Sequence, residues 1–190
     1  MSKKRQYDIL IIGGGVAGSA AATTFARQGR EVLLVERSLK EPHRIVGELL
    51  QPGGVAALSE LGMSSCLDGI DAIPVKGYHI YWKDEGATFL YPLLPTNENG
   101  KDLQRNTASE KLSKSRKRPE GKSFHHGRFI MNLRAAAKAE PNLDIVETTA
   151  IELLRDEVTG QVLGAQCKNS NKQLENVSIQ LYCSHIGGAL

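Results

Sequence analysis

Gly13, Gly15, Gly18 and Glu36 are the residues of this sequence whose type and spacing most directly imply chemistry. Gly13-x-Gly15-x-x-Gly18 follows a short β-branched run and opens an alanine-rich stretch, the context in which such a pattern binds a dinucleotide. Gly13 permits a tight turn, Gly15 lets a pyrophosphate approach the backbone, and Gly18 lets the helix lie close to the strand. The N–H groups at the helix start, with Val16 and Ala17 supplying contacts, and the helix dipole favour the negative pyrophosphate. Glu36 ends a second apolar run, where its carboxylate can accept hydrogen bonds from both ribose hydroxyls. A nucleotide with a free 2′-hydroxyl is implied. Arg37 beside it would suit a 2′-phosphate, but the acid would repel that group, so FAD or NAD fits better than NADP. A glycine turn that merely packs explains the glycines and leaves Glu36 a coincidence.

The elements that must position these residues are legible nearby. Residues 7–12 read as a strand, 16–28 as a helix closed by Gly29, and Val32–Glu36 as a second buried strand. Strand, glycine turn, helix and strand in so short a span is the unit of a parallel sheet, so the fold class is α/β and Rossmann-like. Further along, residues 55–61 suggest a helix stopped at Gly62. Residues 78–82 and 88–91 suggest strands flanking an Asp84-Glu85-Gly86 turn. Residues 96–123 have few apolar positions and no sustained period, and read as a flexible basic insertion. A helix over 127–139 stopped by Pro141, then strands at 144–147, 150–154, 162–167 and 177–182, complete the pattern. The expected organisation is a dinucleotide-binding region over 1–95, the insertion over 96–123, and a continuation of the first region over 124–190.

Composition bounds the rest. With 190 residues, 41% of them hydrophobic and 24% charged, the chain can bury a core of its own. The net charge is only +3, and residues 101–122 hold eight basic and three acidic side chains, so no general nucleic-acid surface is implied. Cys66, Cys167 and Cys183 show neither zinc spacing nor a disulfide framework, which suits a reducing compartment. His125-His126 invites a metal, but adjacent histidines diverge and no third ligand has suitable spacing, so no metal site is expected. The uncharged run over 9–26 is interrupted by Gly13-Gly14-Gly15 and does not read as a membrane span.

Residues 36–54 read ERSLKEPHRIVGELLQPGG and closely resemble the squalene epoxidase family, with His43 where the family has an acidic residue. The similarity extends to Lys76-Gly77-Tyr78, to SFHHGRFIMNLR over 123–134, and to Ala139-Glu140-Pro141-Asn142. The resemblance implies the FAD-binding fold of flavoprotein monooxygenases. It makes Arg44 and Arg134 FAD-contacting arginines, sets Glu36 and Arg37 near the adenosine, and has Ala150 lining the cofactor cleft. A buried diphosphate does need forked, permanently charged donors, although an isolated arginine is more often a surface or helix-end residue. Tyr78 is either the family's tyrosine near the substrate pocket or a core strand tyrosine. Glu48, Gln51 and the Pro52-Gly53-Gly54 turn are expected beside the flavin, without an acid or base role for Glu48.

The implied activity is FAD-dependent epoxidation of squalene by oxygen to (S)-2,3-epoxysqualene, with electrons from an NADPH-dependent reductase. The cofactor carries the hard chemistry and no charged catalytic side chain is required. The family's location is the cytoplasmic side of the endoplasmic reticulum membrane, with the membrane surface as a partner. The family continues past residue 182 into an Asp-Gly motif that this chain, ending Tyr182-Cys183-Ser184-His185, lacks. A shortened form is therefore expected, with an inactive nucleotide-binding or regulatory fragment as the alternative to a working enzyme.

Overall fold

The computed structural model describes residues 6–43, 47–93, 118–169 and 173–178. In chain order, β1 (Ile9–Ile12) leads through the glycine turn into α1 (Val16–Arg27) and β2 (Val32–Glu36). Next come β3 (Leu49–Leu50), α2 (Pro52–Glu60), a single 3-10 turn at Ser64–Leu67, β4 (Ile73–Val75), β5 (Gly77–Trp82), β6 (Glu85–Leu90) and β7 (Gly121–Ser123). After α3 (His126–Lys138) follow β8 (Leu143–Glu147), β9 (Thr149–Arg155), β10 (Val162–Lys168) and β11 (Leu174–Ser178). Two compact units result, Met1–Pro42 with Ile130–Leu190, and His43–Phe129. The first unit is discontinuous because β8 pairs with β2 and so ties the C-terminal stretch to the N-terminal one.

The first unit is built on a parallel sheet in the order β1-β2-β8. Central β2 is covered on both faces, with Val32 to Val35 all buried. That is why its sequence is a continuous apolar run rather than an alternating one. Ala22 and Ala26 of α1 and Ala137 of α3 join Val32, Leu34 and Leu143 in one core, with Ile9, Ile11 and Ile145 packed against it. Alanines let helices approach the sheet closely, and each buried Val or Leu contributes about 2 kcal/mol through lost water contact. β9, β10 and β11 form a separate antiparallel sheet in the order β11-β10-β9. The hairpin between β9 and β10 closes on Asp156, whose carboxylate accepts N–H bonds from Val158 and Thr159.

In the second unit, β3, β7 and β4 make a small antiparallel sheet with β7 in the middle. Residues 121–123 are thus part of a sheet and not of the insertion predicted to end at 123; Gly121 is buried, and a Cβ there would stand 2.7 Å from the Leu50 carbonyl oxygen. Residues 96–117 of that insertion lie outside the described residues. The predicted Pro52-Gly53-Gly54 turn is instead the first turn of α2, because Pro52 sits at its start, where a preset φ and a missing N–H cost nothing. β5 and β6 form a hairpin whose two-residue turn is Lys83-Asp84, one step before the expected site, with Lys83 at φ +54°. The last strand runs over Leu174–Ser178 rather than 177–182, and residues 179–182 lie outside the described ones.

Among the described residues no helix is long and apolar enough to cross a membrane. Cys167 is 2% exposed in β10, and its thiol is pushed up from the ordinary value by burial and by the nearby Glu175 carboxylate. In a Cys66→Ser, Cys183→Ser background, Cys167 should therefore be inert to a chromogenic disulfide reagent at pH 8 and react at once in denaturant. Rapid labelling of the native chain would contradict its burial in the sheet.

Candidate functional site

Four local features place the glycines. β1 ends at Ile12, and the Gly13 N–H bonds the Val35 carbonyl, so the turn leaves the sheet directly beside β2. Gly13 has φ +103°, a backbone region that L side chains avoid. A Cβ on Gly18 would stand 1.8 Å from the Gly13 carbonyl oxygen, so this residue alone lets α1 start so close to the strand. Gly15 has neither constraint: its φ is −82° and a Cβ there would meet nothing within 4 Å. No protein neighbour requires a glycine at 15, which fits a position left bare for an external group.

Gly15 caps α1 without a side-chain hydrogen bond, and the first turn carries no acidic residue. The leading N–H groups of a helix have no intrahelical partner. Val16 and Ala17, both exposed, therefore present free donors at the positive end of an uncompensated dipole. Gly13, Gly15, Val16, Ala17 and Gly18, the residues expected at the pyrophosphate, all lie in this turn and the first helical turn.

Glu36 closes the other side. Its Oε2 accepts the Gly14 N–H at 2.6 Å and its Oε1 accepts the Ser38 N–H at 3.1 Å. The side chain is 14% exposed, and the Arg134 Nη2 stands 3.7 Å from Oε2. A carboxylate has about four lone-pair directions, so capacity remains for ribose hydroxyls. The backbone of Glu36 is also held, since its carbonyl accepts the Thr148 N–H at 2.8 Å beyond the end of β8. Acid and glycine turn are thus joined by a direct hydrogen bond.

The remaining predicted residues are distributed differently. Arg37 is exposed at the end of β2. Ala150 is half-buried in β9, paired with Cys167 of β10. Arg134 is 8% exposed; its Nε donates to the Gly14 carbonyl at 2.8 Å and its Nη1 to the Lys40 carbonyl at 3.3 Å. Arg44 lies outside the described residues. Of the two adjacent histidines, His125 is exposed and His126 half-buried, and no metal-binding cluster occurs among the described residues. Gly14, Ser38 and Lys40 escaped sequence reasoning because they act through backbone groups. A cleft of about 590 Å³ bounded by Leu39, Met131, Arg134, Lys138 and Asp144 also lies in the first unit, but neither Glu36 nor Ala150 lines it.

Tyr78 belongs to the second unit, on β5, and is 43% exposed rather than a core residue. Its oxygen accepts hydrogen bonds from Gln51 Nε2 and, at 3.4 Å, from the Tyr91 hydroxyl. Both lone pairs are thereby engaged, so its own proton is free to point elsewhere. Tyr91 is 8% exposed and meets Tyr78 edge to face at 5.5 Å. The hairpin register explains the contact: Tyr78 faces Phe89, and Tyr91 is the diagonal neighbour on the same face. Ile80 and Trp82 share that face and are 57% and 75% exposed, leaving an apolar surface beside a phenol.

Comparison with known proteins agrees with the geometry. Residues 8–40 match the family model described as FAD dependent oxidoreductase. The chain is similar to the squalene epoxidase of Aspergillus fumigatus, 47% identical over 89% of this chain and 31% of that protein. It is also similar to the squalene epoxidase of Saccharomyces cerevisiae, 42% identical over 84% and 34%, and to the squalene monooxygenase of mouse, 42% identical over 85% and 25%. The chain spans about a third or less of the length of these curated relatives. Among solved structures it resembles the FAD-dependent halogenase CndH, with a TM-score of 0.67 and 22% identity over 93% of this chain and 36% of that one. A flavoprotein/dehydrogenase from Cytophaga hutchinsonii gives 0.68, with 18% identity over 92% and 38%. The fold is the FAD-binding α/β fold.

Tyr91 is pushed up to about 12 from its ordinary 10, first by its hydrogen bond to Tyr78, then by burial and by the Tyr78 charge. The folded chain keeps a proton that the unfolded chain releases, so this contribution to stability is complete below pH 10 and lost between about 10 and 12. An alkaline titration read at 295 nm should contain a late phenol that Tyr91→Phe removes and that Tyr78→Phe moves toward 10. An unchanged late phenol in that variant would break the assignment.

Proposed function

We propose that this chain, homologous to squalene epoxidases over about a third of their length, holds the ADP part of FAD in a monooxygenase that epoxidises squalene to (S)-2,3-epoxysqualene. The observation that carries the reading is the 2.6 Å bond between the Gly14 N–H and the Glu36 carboxylate. It supports the reading by holding the helix start and the acid side by side, the former for the diphosphate and the latter for the ribose. Backbone N–H groups of Gly15, Val16 and Ala17 take the pyrophosphate, and Glu36 accepts from the ribose hydroxyls with Arg37 beside it. In this reading Ala150 lies beside the cofactor, apart from the 590 Å³ cleft, Arg44 contacts the cofactor, and Arg134 stands at the acid.

Bound FAD supplies the oxygen chemistry: reduced by electrons from an NADPH-dependent reductase, it lets one atom of O₂ enter the alkene while the other leaves as water. The chain's own residues orient and shield. On the second unit, the phenol of Tyr78, its oxygen lone pairs engaged by Gln51 and Tyr91, offers a directed O–H at the edge of the face carrying Ile80 and Trp82. Such a face suits a long hydrocarbon. An insoluble substrate also favours work at a membrane surface, on the cytoplasmic side of the endoplasmic reticulum.

The test begins with the cofactor. After incubation with FAD and desalting, the chain should retain visible flavin absorbance. Glu36→Ala should weaken that binding by roughly ten- to a hundredfold, the loss expected for charge-assisted hydrogen bonds. Equal FAD affinity in the two proteins would remove the ribose assignment.

A further inference from the structure

We propose that Arg134 is a positioning residue: it aims the Glu36 carboxylate and pins the glycine turn, and so serves the ribose end of the nucleotide rather than its diphosphate. The inference rests on the nucleotide reading above and assigns this arginine a different part in it. All the groups concerned lie in the first unit. Nε is spent on the Gly14 carbonyl at 2.8 Å, Nη1 reaches the Lys40 carbonyl at 3.3 Å, and Nη2 faces Glu36 Oε2 at 3.7 Å. Nε and Nη1 thus have acceptors within the protein, and Nη2 stands in ion-pair range of the Glu36 carboxylate.

These bonds close a ring. Arg134 holds the carbonyl of Gly14, the N–H of Gly14 holds Glu36, and Glu36 is paired back to Arg134. The ring is tight: a Cβ on Gly14 would stand 3.2 Å from the Glu36 Cβ and 3.4 Å from the Arg134 Nε. Side chains 9% and 14% exposed have little water to satisfy their charges, so each needs the other. A lysine would keep the charge but not the fork that reaches Gly14 and Lys40 together. The consequence is a carboxylate set in one direction before any nucleotide arrives.

Adenosine and ADP separate the two possible roles, because only ADP carries phosphate. Binding of each is measured with the full chain as wild type, Arg134→Met and Arg134→Lys. The lysine variant keeps the buried positive charge and is the one read should Arg134→Met not fold. Arg134→Lys should weaken adenosine and ADP by the same factor, about tenfold, the scale of losing aligned charge-assisted bonds. In a Glu36→Ala background the same change should have no further effect, and 2′,3′-dideoxyadenosine, which lacks both hydroxyls, should not distinguish the variants. Weaker ADP with unchanged adenosine would overturn the proposal in favour of a direct diphosphate contact, and so would additive losses in the double variant. The Gly14 amide gives a reading without ligand: its hydrogen-exchange protection should fall in Arg134→Lys, and undiminished protection would also overturn the brace. A wild type that binds neither adenosine nor ADP would sink the nucleotide reading while the Gly14 amide still decides the role of Arg134.

Discussion

A carboxylate largely removed from water has to be hydrogen-bonded, and the groups that satisfy Glu36 are those that define the glycine turn. Its partners are the Gly14 N–H, the Ser38 N–H and the Arg134 guanidinium. Since an unpaired buried charge is costly, the end of β2, the turn after β1 and the second half of α3 are constrained together. The parallel sheet supplies the frame. β2 lies between β1 and β8, and Gly13 and Thr148 each donate to its last residues, so both flanking chains are tied to the strand that presents the acid.

The glycines of the turn divide by physical cause. Gly13 is demanded by its dihedral and Gly18 by a clash with the carbonyl of Gly13, both properties of the folded chain alone. At Gly14 a Cβ would crowd Glu36 and Arg134, which would have to yield by a few tenths of an ångström. Gly15 has room for a side chain, so no described neighbour demands a glycine there. One motif thus serves turn geometry and packing at once, which is why so short a pattern carries so much of the fold.

The second unit shows a different use of a β-hairpin. With only two strands, β5 and β6 cannot bury a face of their own, and the apolar side chains beside Tyr78 stand exposed. The tyrosine is held by one amide donor, one hydroxyl donor and the edge-to-face contact with Tyr91.

Local patterns decided a good deal by themselves. The β-branched run, the glycine turn and the alanine-rich helix specified β1, α1 and β2 nearly residue by residue, because each depends on neighbours a few positions away. The acid's place at the end of β2 follows from the same unit. What the sequence did not show are contacts made across the chain by backbone atoms. Arg134 meets Gly14 from 120 residues away, and nothing about either residue type says that the bond is to a carbonyl. Gly121–Ser123, polar and next to a basic stretch, becomes a central strand only because β3 and β4 flank it. Tyr91 acquires its role from hairpin register, and Pro52-Gly53-Gly54 reads as a turn until α2 continues it. Short-range sterics and periodicity are written in residue order, whereas the direction of a buried charge depends on which distant backbone groups folding brings to it.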